Sequence, residues 1–321
     1  MRPRTSFRFL ASLGLALAAW LCAGVAGAAI APADAQRDGA QLRERFARMR
    51  GEIAASGFGE PLRLLSADGD HVLKGDVYAR VDHPFREVEA ALHEPDQWCQ
   101  VLVLPFNVKR CDARGHGDGS GLAIFIARKA AQSADHAFRA DFRFRVEALA
   151  AAYMRIALHA DSGPLGTRDY RIVLEAAPED DAHTIVHLAY SYGYGMMSQM
   201  AMQAYLSTAG AGKVGFTVEG RDARGKPVYV GGMRGVMERN TMRYFLAIDA
   251  YLDSLSAPAA SRIEARLAQW FDTTERYPRQ LHEMERDEYV AMKRREARAG
   301  AAPEESPGWP SRGRRRASSS P

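Results

Sequence analysis

A chain of 321 residues with 47% hydrophobic and 26% charged residues has the makeup of an ordinary folded protein, which excludes a disordered or fibrous chain. The formal charge of +4 does not point to nucleic acid, because three of the cations, Arg2, Arg4 and Arg8, head an apolar run from Phe9 to Ala28. Without them the balance is about +1, too small for a basic binding surface.

The basic start and apolar run read as a signal peptide. Ala26-Gly27-Ala28 offers a cleavage site after residue 28, and Ala33-Asp34-Ala35 one as late as 35. The expected address is the periplasm or the exterior. Cys22 leaves with the leader, and Trp20 stands where a lipoprotein signal wants a small residue. The two cysteines left, Cys99 and Cys111, then read as one disulfide in an oxidising compartment.

A helix is expected within 36–60, where Leu42, Phe46, Met49 and Ile53 form one apolar stripe. Period two follows in Leu62–Leu65 and His71–Val81, around the turn signal Ala67-Asp68-Gly69-Asp70. Pro84 opens a helix with Phe85, Val88 and Leu92 on its buried face, and a second short helix covers Asp96–Val103. The stretch FNVKRC, 106–111, reads as a strand, with Asn107, Lys109 and Cys111 on one face and Phe106, Val108 and Arg110 on the other. Residues 122–127 make another. In 138–148 Phe138, Ala140, Phe142, Phe144, Val146 and Ala148 alternate with polar residues, the pattern of a sheet with one wet face. Strands around Met154–Leu158, Tyr170–Leu174 and Val186–Tyr194 follow.

Helical spacing returns at 196–206. A hairpin turns at Asp222–Gly225, and a long helix covers 233–255, with Met237, Tyr244, Ile248, Tyr251 and Leu255 on one face. Further helix fills 257–298, and the Arg, Ser and Pro-rich tail 299–321 is expected to be disordered. Its Arg314-Arg315-Arg316 run offers a peripheral membrane contact. A run of strands closed by helices argues for an α+β fold.

Few chemical motifs survive scrutiny. His183 and His187 lie about 13 Å apart on a strand, too far to share a metal, and read as surface residues. GAGK, 210–213, lacks the first glycine and the Ser/Thr of a phosphate loop. No G-x-S-x-G occurs. No metal and no cofactor is called for. Weak acid/base candidates are Asn107, Lys109, Asp169 and Tyr192. Asn240 sits on the apolar stripe of the long helix, where it either orients a ligand or ties down the inserted hairpin.

The order of elements, with two short helices after the first strands and a long helix at the end, resembles the START-like, or helix-grip (SRPBCC-type), superfamily. The phrases GDVYARVDHPF (75–85), WCQVLVLPFNVKRC (98–111), GFTVEG (215–220) and GGMRGVMERNTMRYFLAIDAYL (231–252) resemble a group of exported bacterial START-like proteins. The resemblance covers about 61–256 and departs from the pattern in the roughly forty residues, 193–232, before the long helix. It implies an antiparallel sheet curved around that helix, with an apolar cavity between them. The cavity residues it implies are Phe142, Phe144, Tyr190, Tyr192, Met197, Met200, Met237, Asn240, Tyr244 and Ile248, with the methionines of 196–202 either packed as core or serving as a pliable lid. The implied partner is a hydrophobic small molecule or lipid, an isoprenoid among them, which the protein would carry. A cyclase- or hydrolase-type enzyme in the same cavity, and an envelope interaction protein with a filled cavity, are the alternatives.

Overall fold

The computed structural model describes residues 32–115, 119–127, 132–208 and 210–301. The leader, Cys22 and the basic tail lie outside the described residues.

The period-two segments become one eight-stranded antiparallel sheet, β1 (Leu62–Gly69), β2 (Val72–Val81), β3 (Val108–Arg114), β4 (Gly121–Ile126), β5 (Phe138–Ala150), β6 (Tyr153–Ser162), β7 (Arg168–Pro178) and β8 (Thr184–Gly193). Their spatial order is β1-β2-β8-β7-β6-β5-β4-β3. Helices α1 (Pro32–Arg48) and α2 (Arg50–Ala54) precede the sheet, and α3 (Phe85–Leu92) and α4 (Pro95–Leu102) carry the chain from β2 to the far edge. The stretch before the long helix α6 (Gly232–Ser254) holds α5 (Met196–Leu206) and a hairpin, β9 (Val218–Arg221) and β10 (Pro227–Tyr229). Helices α7 (Arg262–Glu275), α8 (Pro278–Leu281) and α9 (Arg286–Ala301) follow. The fold is α+β, a curved antiparallel sheet closed on a long C-terminal helix, as expected.

Local chemistry explains the joints. Asp70 and His71 both take positive φ, 53° and 58°, which makes the two-residue turn that matches strand twist. Helix α4 starts on Pro95 with a capping box of Glu94 and Gln97. Trp98 Nε1 donates to Leu92 O at 2.7 Å, which fixes α4 against the end of α3. At Gly75 of β2 a Cβ would stand 2.2 Å from Thr241 Oγ1, so the missing side chain lets α6 lie directly on the strand.

Helix α6 is buried on nearly every side, not on one stripe, because α7 and α8 help cover the face the sheet leaves open. Met237 and Ile248 are core residues, 0% and 1% exposed. The inserted hairpin is tied to α6 by Glu238, not by Asn240. Glu238 is 0% exposed. Its carboxylate accepts from the Phe216 and Thr217 backbone N–H groups at 2.6 and 2.8 Å, from Thr217 Oγ1 at 2.7 Å and from Ser66 Oγ at 2.6 Å.

The second face of the sheet is not wet throughout. The Leu42–Phe46 stripe of α1 packs on Tyr78, Tyr153, Ala177 and Ile185. The alternation of β5 breaks at a register shift between Val146 and Ala148, which leaves Val146 37% exposed and puts Ala148 under α1. His187 is buried on this face, contrary to the surface expectation. It bonds Asp76 at 2.8 Å and Glu175 at 2.7 Å and stacks on Tyr78. Burial opposes its charge, but the bonds to Asp76 and Glu175 prevail and raise its pKa above 6.5. Burial also opposes the charge of Glu175, yet hydrogen bonds from His187 and Tyr153 bring its pKa down to about 2.

A raised imidazole stabilises the fold below its unfolded pKa and loses that contribution as pH rises through the folded value; a depressed carboxylate stabilises above its unfolded pKa and loses it as pH falls. His83, raised chiefly by its hydrogen bond to Asp253, adds to the alkaline loss. Urea midpoints are therefore expected to be highest between the ordinary carboxylate and imidazole ranges, to fall towards pH 9, and to fall again as pH drops towards 2. His187→Gln removes its share of the alkaline slope and leaves that of His83. An unchanged slope in that variant would contradict the coupling.

The two cysteines form a disulfide, Cys99 of α4 to Cys111 of β3, with Cα atoms 5.2 Å apart across a separation of 12 residues. Closing a loop of this length stabilises by about 2–3 kcal/mol. Cys99→Ser/Cys111→Ser is expected to lower the urea midpoint accordingly, with a slope that is the same or slightly steeper because the unfolded chain loses its crosslink. The strand parity expected around it does not hold, because the register shifts between Val108, opposite Ile126, and Arg110, opposite Phe125. Lys109 is the extra residue, and Asn107 and Lys109 part company there.

Candidate functional site

Between the concave face of the sheet and α6 lies a cavity of about 160 Å³. Ile124, Ile126 and Phe142 of β4 and β5 form its apolar floor. Tyr170 of β7 and Tyr190 and Tyr192 of β8 form one wall, and Asn240, Arg243 and Tyr244 of α6 form another. The segment leading from α4 into β3 adds Leu102, Pro105, Asn107 and Val108. Pro164, Leu165 and Thr167 of the β6–β7 turn and Ser198 and Met202 of α5 close the top.

Period two sets this wall. Tyr190 and Tyr192 point inward because Ala189 and Ser191 take the alternate face. Tyr170 stacks on Tyr192 with ring centroids 5.0 Å apart, and Tyr190 meets Tyr244 edge-on at 5.2 Å. Tyr170 and Thr167 share a hydroxyl–hydroxyl hydrogen bond of 2.7 Å. A Cβ on Gly163 would stand 2.2 Å from the Tyr170 ring, so only glycine leaves room for the ring against this turn. Burial pushes the hydroxyls of Tyr170, Tyr190, Tyr192 and Tyr244 above the usual tyrosine pKa. They stay neutral and act as hydrogen-bonding groups, not as bases.

Arg243 brings a buried positive charge. Its Nη2 donates to Glu283 at 2.5 Å and its guanidinium lies 5.5 Å from the Phe106 ring centroid. Burial lowers its pKa below the usual arginine value while Glu283 works to raise it. Arg243 Nε and Ser198 Oγ, both buried and both on the cavity, have no hydrogen-bond partner among the described residues.

The expected site residues divide. Phe142, Tyr190, Tyr192, Asn240, Tyr244 and Asn107 line the cavity. Phe144, Met237 and Ile248 are packed in the core outside its lining. Met197 and Met200 are 74% and 58% exposed, because α5 turns the face of Ser198 and Met202, four residues apart, towards the cavity. Lys109 lies under α9, donating to Glu296 at 2.7 Å and to Phe106 O at 3.0 Å. Asp169 points outward, opposite in parity to Tyr170, and accepts from His159 at 2.8 Å and Arg171 at 3.2 Å. Neither belongs to this cavity. Sequence reasoning missed Arg243, Ser198, Thr167 and Tyr170, whereas Met202 is the one of the expected lid methionines that lines the cavity. Only Tyr170 carried a usable signal, as the first member of the alternating run Tyr170, Ile172, Leu174. Among the described residues no cluster of three metal-ligating side chains occurs, and no helix is long and apolar enough to cross a membrane.

No family model matches the chain, and no curated protein matches it. Solved structures do. A conserved protein from Geobacillus kaustophilus is 14% identical, over 56% of this chain and 95% of its own, with a TM-score of 0.34. A hypothetical protein from Helicobacter pylori is 11% identical over 57% and 88%, with a TM-score of 0.35. Norcoclaurine synthase from Thalictrum flavum, solved in complex with dopamine and hydroxybenzaldehyde, is 12% identical over 46% and 88%, with a TM-score of 0.30.

Proposed function

We propose that this is an exported binding protein for a small hydrophobic molecule, ring-sized, that carries a hydrogen-bonding group. The observation that carries this reading is the pair of buried polar atoms, Arg243 Nε and Ser198 Oγ, without partners on a tyrosine-lined cavity. Leaving such groups unmet costs about 1–3 kcal/mol each, which a polar ligand atom reaching either of them recovers. Volume decides the size. Drug-sized pockets run to roughly 300–1,000 Å³, whereas a cavity of roughly 150 Å³ holds benzene. The observed 160 Å³ belongs with the latter, so the lipid or full isoprenoid expected from the resemblance is too large for it.

Binding is favoured over catalysis because, among the described residues, the lining holds tyrosines and an arginine but no carboxylate and no histidine. General acid–base work near neutral pH needs a group that titrates there, and burial moves these hydroxyls the other way. Export rests on the leader and on the Cys99–Cys111 disulfide. Cleavage after Ala28 suits the fold better than cleavage after Ala35, because Ala35 is packed, 1% exposed, within α1.

Intact-mass and native mass spectrometry on protein expressed with its leader test both halves. The expected product starts at Ala29 and takes up one molecule of p-cresol or benzoate. A chain that keeps Met1 would contradict export. No uptake of either probe, with no rise in Tm at millimolar ligand, would contradict the binding reading. At a hundred times Kd the rise expected is about 5–10 °C.

A further inference from the structure

A second and larger cavity, about 330 Å³, lies where the C-terminal helices meet the sheet edge. Helix α4 and β3 form one side, with Val103, Leu104 and the disulfide's Cys111; α7 and α9 form the other, with Ile263, Leu267 and Ala297. Four cationic side chains line this mainly apolar space, Lys109, Arg110, Arg266 and Lys293, against two carboxylates, Asp112 and Glu296.

The carboxylates are spoken for. Glu296 accepts from Lys109 at 2.7 Å and from Lys293 at 2.9 Å, and Lys293 also donates to Pro105 O and Val108 O at 2.9 and 2.7 Å. Asp112 pairs with Arg110 at 3.1 Å. Arg266 is different. It is 5% exposed, yet its guanidinium meets only neutral acceptors, Ser254 Oγ at 3.1 Å and Gln100 Oε1 at 3.0 Å, and the Tyr251 ring at 4.4 Å. No carboxylate among the described residues pairs with it. The C-terminal end of α6, where Ser254 sits, offers a partial negative charge, which falls short of a counter-ion. A buried cation without one is costly, and burial accordingly lowers the Arg266 pKa.

We propose that this cavity is a binding site for an amphipathic monocarboxylate, whose carboxylate meets Arg266 and whose apolar body lies along Val103, Leu104, Ile263 and Leu267. The site exists only because the helical extension docks on the sheet edge, and it is separate from the tyrosine-lined cavity. Ile263, 59% exposed, stands at its rim.

Isothermal titration of the full exported chain with octanoate, octanol and octylamine tests this. The Ile124→Phe variant serves as background, because it fills the first cavity and so separates the two sites. Saturable octanoate binding is expected there, with octanol weaker by about ten- to hundred-fold, the factor for one charge-assisted hydrogen bond pair. Arg266→Gln is expected to bring octanoate down to the level of octanol. If Arg266→Gln does not fold, the rim variant Ile263→Asp, which changes an exposed side chain, is expected to weaken octanoate more than octanol. Equal affinities for octanoate and octanol, octylamine binding as well as octanoate, or no saturable octanoate binding would each overturn the proposal. Octanoate binding lost in Ile124→Phe itself would place the ligand in the first cavity and overturn it too.

Discussion

Glu238→Ala is expected to cost about 3–5 kcal/mol, the range for removing a buried charged partner whose bonds are then left unmet. Four hydrogen bonds end on this one carboxylate, and they join three separate segments: Ser66 of β1, the entry to the hairpin at Phe216–Thr217, and α6 itself. Arg234 lies one turn back on α6, with its Nη2 4.0 Å from Glu238 Oε1, and loses its neighbour as well. Among the described residues the two backbone N–H groups make no hydrogen bond other than those to this carboxylate. Glu238→Gln keeps an acceptor oxygen for part of this set and is expected to lose less. The hairpin frees first, so limited trypsin digestion of Glu238→Ala should cut at Arg221 or Arg224, both exposed, before the rest of the chain. A variant as resistant to trypsin as the parent, with an unfolding free energy within about 0.5 kcal/mol of it, as surface changes give, would contradict the role.

Trp98→Ala is expected to cost about 3–5 kcal/mol, the range for truncating a buried aromatic residue. Trp98 is 1% exposed, and no fully buried side chain among the described residues is larger. It packs α4 against the rest of the core, and its indole N–H satisfies the Leu92 carbonyl at the end of α3. Truncation leaves a void and an orphan acceptor together. Because α4 also carries Cys99, the disulfide limits how far the helix can follow the lost volume, so the void cannot close fully. Trp98→Phe retains most of the volume but not the hydrogen bond and isolates the polar share, about 1 kcal/mol. Equal losses for Trp98→Phe and Trp98→Ala would show that packing is not what Trp98 supplies.

The fold was legible wherever one period ran unbroken. The alternation of Ala140–Phe144 and of Val186–Tyr194 placed two strands with the right residues inward, although Phe138 at the start of the first run is exposed, and Pro84 and Pro95 marked the helices between β2 and β3. Reading failed where a neighbour distant in sequence changed the environment. The polar face of the sheet looked wet because nothing in β2, β6 or β8 announces that α1 covers it, and His187 was misplaced for that reason. Helix α6 looked one-sided because its second partner is the C-terminal extension. A one-residue bulge is invisible to parity counting, so Lys109 was put on the side of Asn107 when the extra residue turns it under α9.

The cavity was legible in part for the same reasons. Tyr190, Tyr192, Asn240 and Tyr244 follow from strand and helix phase. Ser198 and Arg243 do not, because the rotation of α5 about its axis and the burial of a charged residue on α6 are set by tertiary packing. The phrases GFTVEG and GGMRGVMERN, which carried the resemblance, prove to be physically joined through Glu238.

The central claim is that the tyrosine-lined cavity takes one small hydrophobic molecule. Isothermal titration with p-cresol, run in parallel on the parent chain and on Ile124→Phe, tests it most directly. The expected result is one molecule bound per chain, with binding abolished when the phenylalanine fills the floor of the cavity and unfolding midpoints that stay close. Heats no larger than dilution for the parent chain, or equal binding by the two proteins, would contradict it.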